Sequence, residues 1–300
     1  MMKIGVVLPI AEGKSGETPR YRVIRDLARQ AEGSGFDAIW IYDHLLYRRP
    51  DAPTSGIWES WTLMSALAEA TDRVQIGSIV LCSPFRNPAL LAKMADTLDE
   101  VSDGRLILGL GAGWHEPEFT AFGYPFDHLV DRFEEALKII NPLLKTGRVD
   151  FQGTYSSAND GELKPRGPRP GGPPILVASF KPRMLRLTAQ YADMWNTAWL
   201  GKADNLAPRI EALHAACDEV GRPRNEIEIT VGINVAYPEP GDEPVDPTKV
   251  LTGSAEEMAA EFKRYEAMGV GHLICGVRPN DESGISRFAE AVAAYRGLSG

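Results

Sequence analysis

Eight short apolar runs, each followed by a helical pattern, recur along the whole chain, and this alternation limits the folds open to it. The runs are residues 3–8, 38–42, 74–81, 105–110, 175–178, 194–198, 227–236 and 273–277. Most are apolar on both faces, which marks strands buried on both sides. The segments between them repeat their apolar residues at helical spacing. In 21–34 these are Val23, Ile24, Leu27, Ala28 and Ala31, with Gly35 as the stop. In 88–101 they are Leu91, Met94, Ala95, Leu98 and Val101. Buried strands alternating with amphipathic helices imply a parallel sheet with helices outside, and eight such units close into a (β/α)8 TIM barrel of the α/β class. A doubly wound open sheet is the alternative. No break in composition marks a second domain, so residues 1–300 are read as a single barrel domain. Residues 150–173, rich in Gly, Pro, Ser and Asp, are expected as a loop insertion in its second half, of the kind that carries function or forms a lid.

Charge and cysteine content narrow the function. The net charge is −9 and the Lys and Arg residues are scattered, against nucleic acid as the main partner, since phosphate binding needs a basic face. Three cysteines far apart fit neither a disulfide framework nor a Cys-x-x-Cys site. The opening MMKIGVVLPIAEG reads as a first strand and not as a signal peptide, and no apolar run reaches membrane-spanning length. The expectation is a cytoplasmic protein acting on a small-molecule substrate, with a homodimer as the expected assembly.

In a barrel, chemistry sits at the C-terminal strand ends. Asp43 and His44 follow the second run, and Ser83, Phe85 and Arg86 the third. Gly111, Gly113, Trp114 and His115 follow the fourth. Ser179, Phe180, Lys181 and Arg183 follow the fifth. Trp195, Asn196 and Trp199 surround the sixth, and Trp58 lies on the loop after the second. Indole rings at a mouth suit a broad flat ligand, whereas Trp40 and Trp61 read as packing. Several chemistries fall away. In LGLGAGW, Trp114 stands where a dinucleotide fingerprint needs glycine, and EGKSG has Leu8 where a P-loop needs one. His115-Glu116 lacks a second nearby ligand, so no metal is expected. No lysine ends the sixth run for a Schiff base, and paired carboxylates for glycoside hydrolysis are not visible. The inventory lacks a nucleophile or metal for difficult chemistry, which points to an organic cofactor.

The stretch VQIGSIVLCSPFRNPALLAKMADTLDEVSDGRLILGLGAGWHEPEFTAFGYPF closely resembles the luciferase-like monooxygenase superfamily, and more narrowly its F420-dependent oxidoreductases. FDAIWIYDH and LRLTAQYADMWN extend the match. The resemblance implies a (β/α)8 barrel binding deazaflavin F420, or alternatively FMN, at its C-terminal mouth. It also implies a ring resting on a bulge at Ser78, Ile79 and Val80, with a non-prolyl cis peptide at Ile79–Val80. The cofactor phosphate would meet Ala178, Ser179 and Phe180, with Arg183 as charge partner. Relatives commonly have a Gly-Gly turn there, whereas this chain reads VASFKP. The F420-dependent sugar-phosphate dehydrogenases of the superfamily carry glutamate at the Trp114 position, so glucose 6-phosphate is not the expected substrate.

His44 is the candidate catalytic residue, because an imidazole near pKa 6.5 gives or takes a proton near neutrality. Asp43 would orient it, contact the cofactor or form a turn. Asp43, Ser78, Ile79, Val80, Gly111, Gly113, Ala178, Ser179, Phe180 and Arg183 are the expected cofactor face. Trp58, Arg86, Trp114, His115, Trp195 and Trp199 are the expected substrate face. Arg48, Arg49, Lys181 and Arg183 would form a basic track for the F420 tail. Three functions are open: an F420-dependent hydride-transfer enzyme, an FMN-dependent monooxygenase, and a flavin- or F420-binding protein without turnover.

Overall fold

The computed structural model describes residues 1–13, 16–238, 245–246 and 248–298. The eight parallel barrel strands are β1 (Lys3–Val7), β2 (Ala38–Ile41), β3 (Gln75–Ser78), β5 (Leu106–Gly111), β8 (Ile175–Ala178), β9 (Met194–Leu200), β10 (Glu228–Ala236) and β12 (Val270–Arg278). Each pairs with the next, and β12 pairs with β1, which closes the ring, while the short β11 (Val250–Leu251) adds onto β10. These are the eight expected strands, and the helices between them cover the outside. They include α1 (Tyr21–Gly33), α2 (Ser60–Ala70), α3 (Pro88–Val101), α4 (Glu116–Phe122), α5 (Leu129–Thr146), α6 (Pro182–Tyr191), α7 (Ala207–Val220), α8 (Ala255–Ala267) and α9 (Glu282–Gly297). Their ends follow local chemistry. Asn87 accepts from Leu90 N at 3.1 Å with Pro88 behind it, and Ser254 and Glu257 form a capping box for α8.

Strand parity separates two cores. Val7, Ala38, Trp40, Ile79, Ile107, Leu176, Met194 and Ile274 meet inside the barrel. Alternate residues such as Ile4, Val6, Ile39, Leu108 and Val177 pack outward under the helices. Trp40 is fully buried and fills the lumen. Room for it comes from two glycines, since a Cβ on Gly5 would lie 2.5 Å from its indole nitrogen and one on Gly77 would lie 2.2 Å from its ring. Burying a large apolar side chain contributes roughly 1.5–3 kcal/mol, so the central plug stabilises the barrel as well as shaping it. Trp61 is buried too, as expected.

The third barrel strand breaks after Ser78 and resumes as β4 (Leu81–Cys82), paired with β5. The Ile79–Val80 peptide inside this break is cis, as the resemblance implied, and Ala198–Trp199 is a second cis bond that it did not imply. The expected loop insertion contains regular structure. Here β6 (Arg148–Gln152) and β7 (Ser157–Glu162) form an antiparallel hairpin beside α5. Its turn is held by Glu135, whose carboxylate accepts from Thr154, Tyr155 and Ser156 N at 2.7–2.8 Å. Only β6 alternates, with Val149 and Phe151 on its half-buried face, while β7 reads SANDGE, almost wholly polar and with a glycine, so no second strand signal marks the hairpin. Residues 239–244 and 247 of the Pro-rich loop after β10, and residues 14–15 of EGKSG, lie outside the described residues. Among the described residues no helix is long and apolar enough to cross a membrane.

Candidate active site

The end of β2 divides the adjacent Asp43 and His44 between two networks. Asp43 turns inward, with its side chain fully buried. It accepts from Ser60 Oγ at 2.6 Å, Cys82 N at 2.9 Å, and Arg86 at 2.6 and 3.1 Å. Arg86 also donates to Glu59 at 2.6 Å. Burial alone would lower the Arg86 pKa, but hydrogen bonds and charge from Asp43 and Glu59 hold it above its ordinary value. This pair staples the loop after β4 to the end of β2. Both Asp43 oxygens are thus partnered within this network, and Arg86, expected on the substrate face, shares it.

His44 takes the opposite course. Its Nδ1 lies 2.9 Å from Glu118 Oε1, while Glu118 Oε2 accepts from Leu45 N at 2.8 Å. The Glu118 side chain is 2% exposed and that of His44 is 12% exposed. The His44 ring sits 4.4 Å from Tyr47, 5.6 Å from Trp114 and 6.2 Å from His115, centroid to centroid. Its Nε2 has no hydrogen-bond partner among the described residues. His115 accepts from Arg48 N at 3.2 Å. Burial lowers its pKa, Glu118 opposes that, and His44 and Arg49 add to it, so His115 is held as a neutral acceptor. Burial, with Tyr42 and Glu118 nearby, raises the Tyr47 pKa and keeps its hydroxyl protonated.

Glu118 escaped sequence reading because it lies on α4, a seven-residue helix inside what read as a loop. A signal was present. Pro117 suits a helix start, Gly123 adopts the left-handed C-cap at φ 76°, and Phe119 supplies one buried anchor. Phe119 packs 4.9 Å from Phe85 and 5.0 Å from Phe126, which fixes the helix so that the adjacent carboxylate meets His44.

The mouth itself is lined by little side-chain bulk. A Cβ on Gly276 would meet only Asn234 Oδ1 at 3.3 Å and Ile233 O at 3.9 Å, whereas one on Gly111 would clash with Val80 Cγ2 at 2.7 Å, so Gly111 lets the strand break approach β5 closely. Asn196, two residues from the inward Met194, donates to Thr230 Oγ1 at 2.9 Å and leaves a buried, unpartnered Oδ1. A flat ring carrying an N–H donor fits this combination of an open glycine face and a free amide acceptor. Trp114, Phe180 and Trp58 are exposed on loops at this end, at 68, 73 and 46%, and Trp199, near the end of β9, is 41% exposed.

Other expected contacts are placed differently. Trp195 is 1% exposed, faces the outer core, and donates to Ser179 O at 2.9 Å, so it is not at the mouth. Parity decides this, because Met194 and Asn196 on either side take the inward face. Gly113 has φ 84° and packs against Phe119 and Cys82, where a Cβ would clash. Ser179 spends its N–H on Asn196 O and its hydroxyl on Thr188. Arg183 is held by Asp131 and Glu134 at 2.5 and 2.9 Å and offers no free charge. Ala178 ends β8 beside Asn196, and Arg48, Arg49 and Lys181 are exposed on loops at the same end. Among the described residues no group of three His, Cys, Asp or Glu is placed to hold a metal ion.

Comparison with known proteins agrees with the fold. The chain is 35% identical over 243 residues to a pyrimidine monooxygenase RutA from Methylobacterium radiotolerans, covering 74% of this chain and 61% of that protein. It is 33% identical over 237 residues to an F420-dependent glucose-6-phosphate dehydrogenase from Kineococcus radiotolerans, covering 76% and 66%. The chain thus spans less than two thirds of the length of these relatives. An F420-dependent secondary alcohol dehydrogenase in complex with an F420-acetone adduct superposes with a TM-score of 0.82 at 23% identity, over 98% of this chain and 99% of that one. The luciferase-like monooxygenase family model matches residues 2–247, and the chain belongs to that family.

Proposed function

We propose that the protein is an F420-dependent oxidoreductase that moves a hydride between the deazaflavin and a small organic substrate, with His44 handling the accompanying proton. The observation that carries this reading is His44 itself, bound through Nδ1 to a buried carboxylate and unpartnered at Nε2. When bound, F420 supplies the two-electron chemistry that no side chain in the mouth can supply. The chain's own residues do the rest. Ile79, Val80 and Gly111 would support the ring, with Ser78 and Ala178 at the edges of that cradle, and Asn196 Oδ1 would accept from a ring N–H. Trp114, Trp199, Phe180 and Trp58 would wall the substrate and exclude water, and Arg48, Arg49 and Lys181 would meet a negatively charged tail. The homodimer belongs to the same reading and is checked by sedimentation.

The identity to RutA supports a second reading, an FMN-dependent monooxygenase in which reduced flavin and O2 act beside the same histidine. Fluorescence titration with F420 and with FMN separates the two. Micromolar F420 binding without FMN binding is the expected result. FMN binding alone would transfer the case to the monooxygenase, and binding of neither would sink both.

A further inference from the structure

We propose that Glu118 is the positioning residue that makes His44 a proton acceptor at Nε2. The inference rests on the proposed role of His44 and deepens it. The neighbouring Asp43 cannot orient the imidazole, because its carboxylate is already taken by Ser60, Cys82 N and Arg86. The orienting group arrives instead from 74 positions away. As a carboxylate, Glu118 accepts at both oxygens. Leu45 N–H occupies one, so Nδ1 must present a hydrogen to the other, and in the neutral ring Nε2 is left with its lone pair.

The surroundings keep that choice. Tyr47 and Trp114 flank the ring, which opposes a flip that would exchange its nitrogens. Phe119 anchors α4, so the carboxylate cannot withdraw without unpacking a buried aromatic. A proton leaving a substrate hydroxyl would arrive at Nε2 while the O–H electron pair stays on oxygen. The imidazolium so formed would sit against Glu118. His115 does not compete for the role, since its Nε2 accepts from Arg48 N.

Long-range 1H–15N spectra of the protein alone, recorded at about pH 8, above the ordinary imidazole pKa of about 6.5, report the proton positions on each of the five histidines. A His44→Asn variant identifies the His44 signals. In the wild type, His44 is expected as the Nδ1–H form. In Glu118→Gln the side chain offers one acceptor and one donor. Leu45 N–H can only donate, so the amide oxygen turns to it and the NH2 faces Nδ1. His44 then inverts to the Nε2–H form, while His115 keeps its own tautomer. A merely structural Glu118 would not produce this inversion. Wild-type His44 found in the Nε2–H form, or Glu118→Gln left in the Nδ1–H form, would overturn the proposal. The wild-type spectrum decides even if the Gln variant does not fold. Because no cofactor is present, failure here is distinct from failure of the F420 titration.

Discussion

Lowering the pH from about 8 to about 5 tests the barrel interior through His272. This histidine lies on β12 in register with Lys3, is fully buried, and stands edge-on to Trp40 at 5.3 Å. Neither ring nitrogen has a partner among the described residues. Burial, helped by the charge of Lys3, lowers its pKa from 6.5 to about 3. The folded protein therefore holds the ring neutral over a range in which the unfolded chain protonates it. The stability this contributes is complete above 6.5 and is lost progressively as the pH falls toward 3. One pH unit is worth about 1.36 kcal/mol, so pH 5, about 1.5 units below the unfolded value, removes about 2 kcal/mol. That figure hardly depends on the folded pKa once it is well below 5. Carboxylates also titrate on acidification, so the measurement is a difference. Urea unfolding followed by tryptophan fluorescence is run at both pH values on the wild type and on His272→Met. The wild type should lose about 2 kcal/mol more than the variant between the two pH values. Equal losses, within about 0.5 kcal/mol, would refute a neutral buried imidazole.

Four further perturbations separate fold from site. His44→Ala should leave F420 affinity within about twofold in fluorescence titration and reduce turnover at least tenfold, since general acid–base groups typically contribute about 10²–10⁴. Asp43→Asn removes the charge facing the buried Arg86 and should cost about 3 kcal/mol in urea unfolding, with less than about 1 kcal/mol counting against the staple. Gly109→Ala should unfold at lower temperature, because its Cβ would lie 1.9 Å from the Ser78 carbonyl oxygen at the strand break. Gly276→Ala, whose Cβ would press only on the movable Asn234 side chain at 3.3 Å, should keep the melting temperature within about 2 °C yet weaken ring binding at least fivefold in the same titration.

The expected site was legible in position more than in partnership. His44 sits where a strand end implied it would, but its carboxylate partner is on a short helix that no periodicity reveals. The tryptophans divide for a similar reason. Trp114 and Trp199 are exposed at strand ends, while Trp195, equally close to one, is turned into the outer core by the parity of its neighbours. Arg183 and Arg86 were read as free cations because a sequence does not display the acids that face them from α5 and from β2.

By itself the sequence determined the barrel and the approximate place of its eight strands. Those properties depend on apolar periodicity and on the stop signals of Gly, Pro and Asn, which act over a few residues. Only the tertiary structure decided that Asp43 belongs to a buried staple with Arg86, that Glu118 holds His44, and that residues 148–162 form a hairpin. The first two depend on contacts across tens of residues, fixed by strand register and by how helices seat on the barrel, and the hairpin on the carboxylate that Glu135 brings to its turn. Hydrogen bonds between buried charges are strong only once packing has excluded water, so the site took its character after the fold had closed around it.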